Sequence, residues 1–142
     1  MKLSTRGRYG LKAMFQLSLH YGEGPITLKQ IADKQNLSEN YLEQLFSTLR
    51  KEGLLKSVRG AQGGYMLSRK PEEITVGQIL RCLEGNMAPS DCVIDGEDFG
   101  CDKGDGCVTK LVWIKIKDSI DEVIDSITLQ DMKDDRNKIK IN

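Results

Sequence analysis

The sequence predicts a mainly α fold with a small β wing: a winged helix-turn-helix followed by a long dimerisation helix. Three observations predict it. Two capped amphipathic segments joined by a short turn occupy residues 27–53. A Gly-rich tip then separates two short apolar strands, and an apolar heptad seam runs through residues 113–127. At 142 residues the chain has the length of one domain with an appendage.

The first helix is expected to begin after Ser4 or Thr5 and to run to about His20, with Leu11, Met14, Phe15 and Leu19 as its buried stripe. "GEGP" breaks the chain. "TLKQ" then opens a second helix through a capping box, Thr27 with Gln30, and Leu28, Ile31 and Ala32 form its apolar face. After "KQNLS" a third helix starts at the cap Ser38; Leu42, Leu45, Phe46 and Leu49 point inward and Gly53 stops it. Its opposite face presents Asn40, Tyr41, Glu43, Gln44 and Ser47. Amide side chains there can read adenine, and Glu43 can accept from the cytosine amino group.

"LLKSVRGAQGGYML" follows, a hairpin with Arg59, Gly60, Gly63 and Gly64 around its tip. The glycines permit unusual backbone and close approach to a surface, and Arg59 suits a phosphate or a minor groove. The pattern does not fit a nucleotide-phosphate loop, because no Gly-Lys-Ser/Thr follows and no helix begins there. Charge supports a polyanion partner. Residues 1–70 hold 12 Lys+Arg against 5 Asp+Glu, a net +7, while residues 71–142 carry −7, so the chain's zero net charge hides a basic half. Helix-turn-helix, wing and basic half together read as duplex DNA binding.

The acidic half begins with another capping box, Thr75 with Gln78, on a helix buried through Val76, Ile79, Leu80 and Leu83; Cys82 on it reads as a packed thiol. A polar loop over 86–106 then carries Cys92, Cys101 and, at its end, Cys107, spaced C-x8-C-x5-C. Loops of this length are usually functional or disordered. The long helix from about Val108 to Ile127 has Trp113, Ile116, Ile120, Val123 and Ile127 at heptad spacing. So wide an apolar face on so small a chain predicts an interface with a second copy. "TLQD" caps a final short helix, and 133–142 reads as a polar tail. The organisation expected is therefore a DNA-binding unit with connecting helix over 1–85, a cysteine loop over 86–106, dimer and short C-terminal helices over 107–132, and the tail.

The cysteines lack the C-x2-4-C pairing of structural zinc sites and the C-x-x-C of a dithiol redox pair. An iron–sulfur cluster accepts wider spacing, and a helix starting after Cys107 places positive dipole near a thiolate. On chemistry alone a cluster leads, with a thiol switch, zinc and plain packing left open. No apolar run reaches membrane-spanning length and "MKLSTRGRYG" is not a signal peptide, so the expected location is the cytoplasm and no membrane is involved. With one histidine and no nucleophile–base pairing, enzymatic function is not expected. A protein-contact module is the remaining non-DNA alternative.

"MKLSTRGRYGLKAM", "LSENYLEQLFSTLRKEGLLKSVRGAQGGY" and "LEGNMAP" resemble the IscR-type family of bacterial winged-helix regulators, which includes iron–sulfur-sensing, nitric-oxide-sensing and cysteine-metabolism repressors. The resemblance runs from Met1 to about Met132. It implies a homodimer on a roughly palindromic operator, base discrimination by Glu43, wing contacts from Arg59 and Gly60, and Ser38 and Tyr41 at the same surface. Thr5, Arg6 and Arg8 would lie near the DNA backbone. It further implies a cluster on Cys92, Cys101 and Cys107, with the two-iron form (2Fe-2S) preferred over the four-iron form, and control of cluster-assembly genes. A cluster-delivery or sulfur-metabolism protein is a candidate partner. One departure stands out: the iron–sulfur regulator has a histidine where "CVTK" places Lys110, so the fourth ligand is unassigned among Asp91, Asp102, Asp105 or an added small thiol. The cysteine-metabolism relatives lack the cysteine trio.

Overall fold

The computed structural model describes residues 3–93 and 107–141. Six helices and one hairpin follow in the order α1 (Thr5–Leu19), α2 (Leu28–Gln35), α3 (Glu39–Lys51), β1 (Leu55–Val58), β2 (Gly64–Leu67), α4 (Val76–Glu84), α5 (Val108–Ser126) and α6 (Leu129–Ile141). Short 3-10 turns lie at Pro71–Glu73 and Asp91–Val93.

The predicted caps form. Thr27 and Thr75 each accept from the N–H three residues on, and Gln30 and Gln78 reach back to the Thr27 and Thr75 N–H groups at 3.0 and 2.9 Å. Ser38 accepts from the Tyr41 N–H at 3.1 Å. One core joins the elements: Met14, Ile31, Leu42, Leu45, Phe46, Leu49, Ile79 and Leu129 are all within 1% of complete burial. The strands pair antiparallel from Leu55 opposite Leu67 to Val58 opposite Gly64. Ile26 adds a single antiparallel bridge to β2, exchanging bonds with Tyr65 at 2.9 and 2.8 Å. That bridge adds close packing to the unusual backbone expected of the wing glycines, which Gly64 also shows at φ +153°. Any side chain at Gly64 would strike the Ile26 carbonyl, and one at Gly63 the Val58 carbonyl. Both positions serve close packing of the chain on itself, and only Gly60, at φ +108° in open space, is a free turn glycine.

Helix α1 corrects the expected stripe. Of Leu11, Met14, Phe15 and Leu19 only Met14 is fully buried; the buried face is Gly7, Gly10, Ala13, Met14, Leu17 and Ser18. Gly7 and Gly10 leave a flat strip on which Leu83 and Glu84 of α4 lie directly against the helix. A count of apolar side chains reads those glycines as gaps, although they are where the packing is closest.

The C-terminal segment is a second correction. Residues 133–142, read as a tail, continue α6 as far as Ile141. The reason is its anchor. Leu129 is fully buried in the main core, its N–H bonds the Ile74 carbonyl at 3.0 Å, and Thr128 and Asp131 cap each other. With nucleation met by that first turn, polar residues suffice to propagate, helped by the i,i+4 bond of Gln130 to Asp134 at 3.0 Å.

α5 lies on α4 through one edge. Ile124 is buried, and Ile120 and Ile127 are half-buried against Val76, Leu80 and Met87. Arg81 clamps the pair: Nη1 meets Asp125 Oδ1 at 2.6 Å, Nη2 meets Asp125 Oδ2 at 2.9 Å and Asp121 Oδ1 at 3.0 Å. Lys117 supports Asp121 at 3.0 Å. The hydrogen bond to Asp125 leads the effects that hold the guanidinium above its ordinary range.

Arg81→Met is expected to lower unfolding stability by about 1 kcal/mol at neutral pH, the size left to part-exposed ion pairs after screening. Burial alone would raise the Asp121 carboxyl, but hydrogen bonds from Arg81 and Lys117 hold it below its ordinary 3.8. A depressed carboxyl contributes stability that is complete above its ordinary value and lost as pH falls through the lower one. Urea unfolding at a series of pH values from about 6 down to about 2.5 should show the wild type losing this contribution at the acid end and Arg81→Met losing less, since only Lys117 then holds Asp121. Parallel curves would mean the clamp adds nothing.

Candidate nucleic-acid interface and cysteine segment

The outward face of α3 follows from its inward one. Because Leu42, Leu45, Phe46 and Leu49 are all fully buried, Asn40, Glu43 and Gln44 are turned to solvent. They line, with Arg6, Ser47 and Thr48, an open groove of about 550 Å³. Arg6 reaches it from the first turn of α1, its Nε donating to the Leu83 carbonyl at 3.4 Å. Among the described residues no carboxylate pairs with that guanidinium, so its remaining donors are available to an anion.

Tyr41 departs from the expected exposed position. It is half-buried, stands edge-on to Tyr9 with ring centroids 6.2 Å apart, and donates its hydroxyl to Thr5 Oγ1 at 3.5 Å. Its geometry ties α3 to the start of α1. Ser38 is exposed but its Oγ is occupied as the helix cap. Arg8 is exposed on α1. Arg59 and Gly60 stand exposed at the wing tip, where the Gly63 N–H bonds the Gly60 carbonyl at 3.0 Å. The wing is held to α3 at two points: Tyr65 packs on Phe46 at 5.0 Å between centroids, and Arg50 donates to Ser57 at 3.2 Å. Helix, wing and α1 arm therefore form one connected surface, rich in donors and basic groups.

Residues that sequence reasoning passed over hold this surface together. Glu84, at the end of α4, accepts from the Ser4 N–H and Ser4 hydroxyl at 2.8 Å each and from the Gly7 N–H at 3.2 Å. The signal available in the sequence was Gly7 itself, a glycine inside a helix with no turn to explain it.

Of the three loop cysteines, Cys101 lies outside the described residues. Cys92 and Cys107 bound the segment it belongs to. Cys92 sits in the turn Asp91–Val93, which packs on α5, with Ser90 Oγ 3.4 Å from its sulfur. Cys107 is the N-cap of α5, with Thr109 Oγ1 3.0 Å from its sulfur. Two thiols, each with a hydroxyl at its sulfur and one of them at a helix N-terminus, are a donor set whose chemistry suits iron ligation. Cys82 differs. Burial pushes its thiol above the ordinary range, and it donates to the Thr48 carbonyl at 3.7 Å, as a packed core thiol does. His20 is engaged through both ring nitrogens, with Glu23 at 2.9 Å and Gln16 at 3.4 Å. No described helix is long and apolar enough to cross a membrane.

Comparison with known proteins places this geometry. Residues 3–135 match the family described as "Rrf2: Iron-dependent Transcriptional regulator". The chain is 49% identical over 132 residues to the HTH-type transcriptional regulator CymR of Bacillus subtilis, covering 93% of this chain and 89% of that one. It is 38% identical over 141 residues to IscR of Pectobacterium carotovorum, covering 99% and 84%. Among solved structures, "T. potens IscR" superposes with a TM-score of 0.77 at 54% identity, covering 96% of this chain and 88% of that one. The B. subtilis structure titled CymR (YrzC), the global cysteine regulator, gives 0.77 at 48%, covering 93% and 95%. These relatives are regulators and not enzymes. The chain belongs to the Rrf2 family of winged-helix, DNA-binding transcriptional regulators.

Proposed function

We propose that this regulator acts in the cytoplasm as a homodimer whose operator affinity depends on an iron–sulfur cluster held by Cys92, Cys101 and Cys107, and that it governs cluster-assembly genes. The observation that carries the reading is the placement of Cys92 and Cys107: one in a turn resting on α5, the other capping α5, each with a hydroxyl at its sulfur. When bound, such a cluster supplies an iron- and oxidation-sensitive cross-link among three thiolates, the two-iron form being the preferred one. The chain's own residues do the rest. Cys92 and Cys107, as the cluster's ligands, would join the turn 91–93 to the start of α5. Arg81 holds α5 to α4, and α4 holds α1 and the recognition surface. This supports residues 1–85 as the DNA-binding unit and 86–106 as the sensing segment.

The dimer reading rests on α5. Ile116 is 39% and Val123 55% exposed, and with Trp113 they form the face that a second α5 would cover; Leu111 and Val112 widen it, while Ile120 and Ile127 of the same seam are partly taken up by α4 and border it. Two copies would present two recognition helices to a palindrome. Sedimentation should give twice the chain mass for the wild type and the single-chain mass for Ile116→Asp.

A second reading, control by cysteine metabolism, is favoured by the 49% identity to CymR. The two part on one experiment. Protein purified without oxygen should be brown, with iron and acid-labile sulfide, and Cys101→Ala should be colourless. Colourless wild type that resists cluster reconstitution yet binds DNA would leave the cysteine-metabolism reading standing.

On the DNA side, Glu43→Ala is expected to flatten base preference at one operator position by about 1–3 kcal/mol. Arg59→Ala should instead weaken all sequences alike and reduce the slope of log affinity against log salt by about 1. Binding titrations on matched and mismatched duplexes separate the two; a uniform loss from Glu43→Ala would remove it from base reading.

A further inference from the structure

The end of α4 carries a contact that the DNA surface depends on. Glu84 belongs to α4, yet its carboxylate sits on the first turn of α1, 80 residues earlier in the chain, and accepts three hydrogen bonds there. Ser4, which precedes α1, makes no side-chain cap of its own. Glu84 fills that office, meeting the free N–H groups and the positive end of α1 with a negative charge. The neighbouring Leu83 carbonyl takes the Arg6 Nε. The last turn of α4 therefore holds both the start of α1 and the one arginine that faces the α3 groove.

Gly7 is the mark of this arrangement. Inside a helix glycine is a poor choice beside alanine. Here an added Cβ would collide with the Glu84 carboxyl group, so glycine is required for the carboxylate to sit where it does. The sequence gives up helix propensity to keep the contact.

We propose that Glu84 is a positioning residue for DNA binding: seated on α1, it sets the aim of Arg6 at the recognition groove and thereby the affinity of the whole surface. Directly after it come Gly85, at φ +78°, and the chain leading to Cys92. Glu84 is thus the point at which movement of the cysteine segment would reach the DNA face. The inference rests on the DNA-binding reading and deepens it.

Electrostatics alone predicts the opposite sign. A carboxylate beside a phosphate-binding surface repels DNA, so its removal without a positioning role would tighten binding. The test uses the full chain with a duplex selected by the wild type from a random pool, and a scrambled duplex of equal length. Glu84→Ala and Gly7→Ala should each weaken both duplexes by roughly tenfold, the scale of one lost cap, with base preference unchanged. The double variant should be no weaker than either single one. Gly7→Ala trades the lost cap against gained helix propensity and should melt within about 5 °C of the wild type, which separates lost aim from lost folding. Glu84→Gln keeps an acceptor oxygen without the charge and should bind within about threefold of wild type; should Gly7→Ala fail to fold, the contrast between Gln and Ala at 84 decides. Unchanged or tighter binding by Glu84→Ala, or losses that multiply in the double variant, would overturn the proposal. A wild type that selects no duplex would instead remove the DNA-binding reading beneath it.

Discussion

The packing of α4 across the bare strip of α1 is the constraint on which the rest of the structure depends. Gly7 and Gly10 let Glu84 and Leu83 lie on the helix itself, and the same α4 presents Arg81 to α5 and Val76 to the start of α6. Its N-terminus is locked as firmly as its C-terminus: Val76 N–H bonds the Ile127 carbonyl at 2.8 Å, and Ile74 accepts from Leu129. A nine-residue helix thus joins the recognition surface, the long helix and the chain's end. Small displacements of it cannot be absorbed locally, because close-packed interiors transmit rather than dissipate strain.

That arrangement gives the regulator its logic. A helix-turn-helix needs a rigid recognition helix, and α3 has one through four fully buried side chains. A sensor needs a part whose order depends on a ligand. Cys107 stands at the start of α5 and Cys92 in the turn resting on that helix, which α4 in turn joins to α3. In the proposed mechanism, signal and response are separated by one short, well-anchored element. The charge distribution follows the same division, with the helix-turn-helix and wing in the basic half and the cysteines in the acidic half.

Much of this was legible in the sequence because it rests on local rules. Capping boxes at Thr27 and Thr75, the cap at Ser38, the stripe of α3 and the hairpin all follow from spacing within a few residues. The misreadings share a different cause. The buried face of α1 is defined by two glycines whose value lies in what a distant helix places against them. The helical run beyond residue 132 depends on the fully buried Leu129, an anchor supplied by the tertiary core and not by the polar residues that follow. Tyr41 looks like a polar-face residue until Thr5 and Tyr9 are brought beside it. Glu84 carries no local pattern at all, since its three partners are 77 to 80 residues away.

In the proposed mechanism the state of the cysteine segment changes how tightly α3, the wing and α1 hold DNA. The most direct measurement is the affinity of one selected duplex, at one salt concentration, for anaerobically prepared iron-loaded protein and for the same preparation after chelation. Cluster control requires dissociation constants that differ by tenfold or more, on the order of the 1–3 kcal/mol typical of coupling between sites. Equal constants on every duplex tried would contradict it, leaving a DNA-binding protein whose cysteines do not govern its grip.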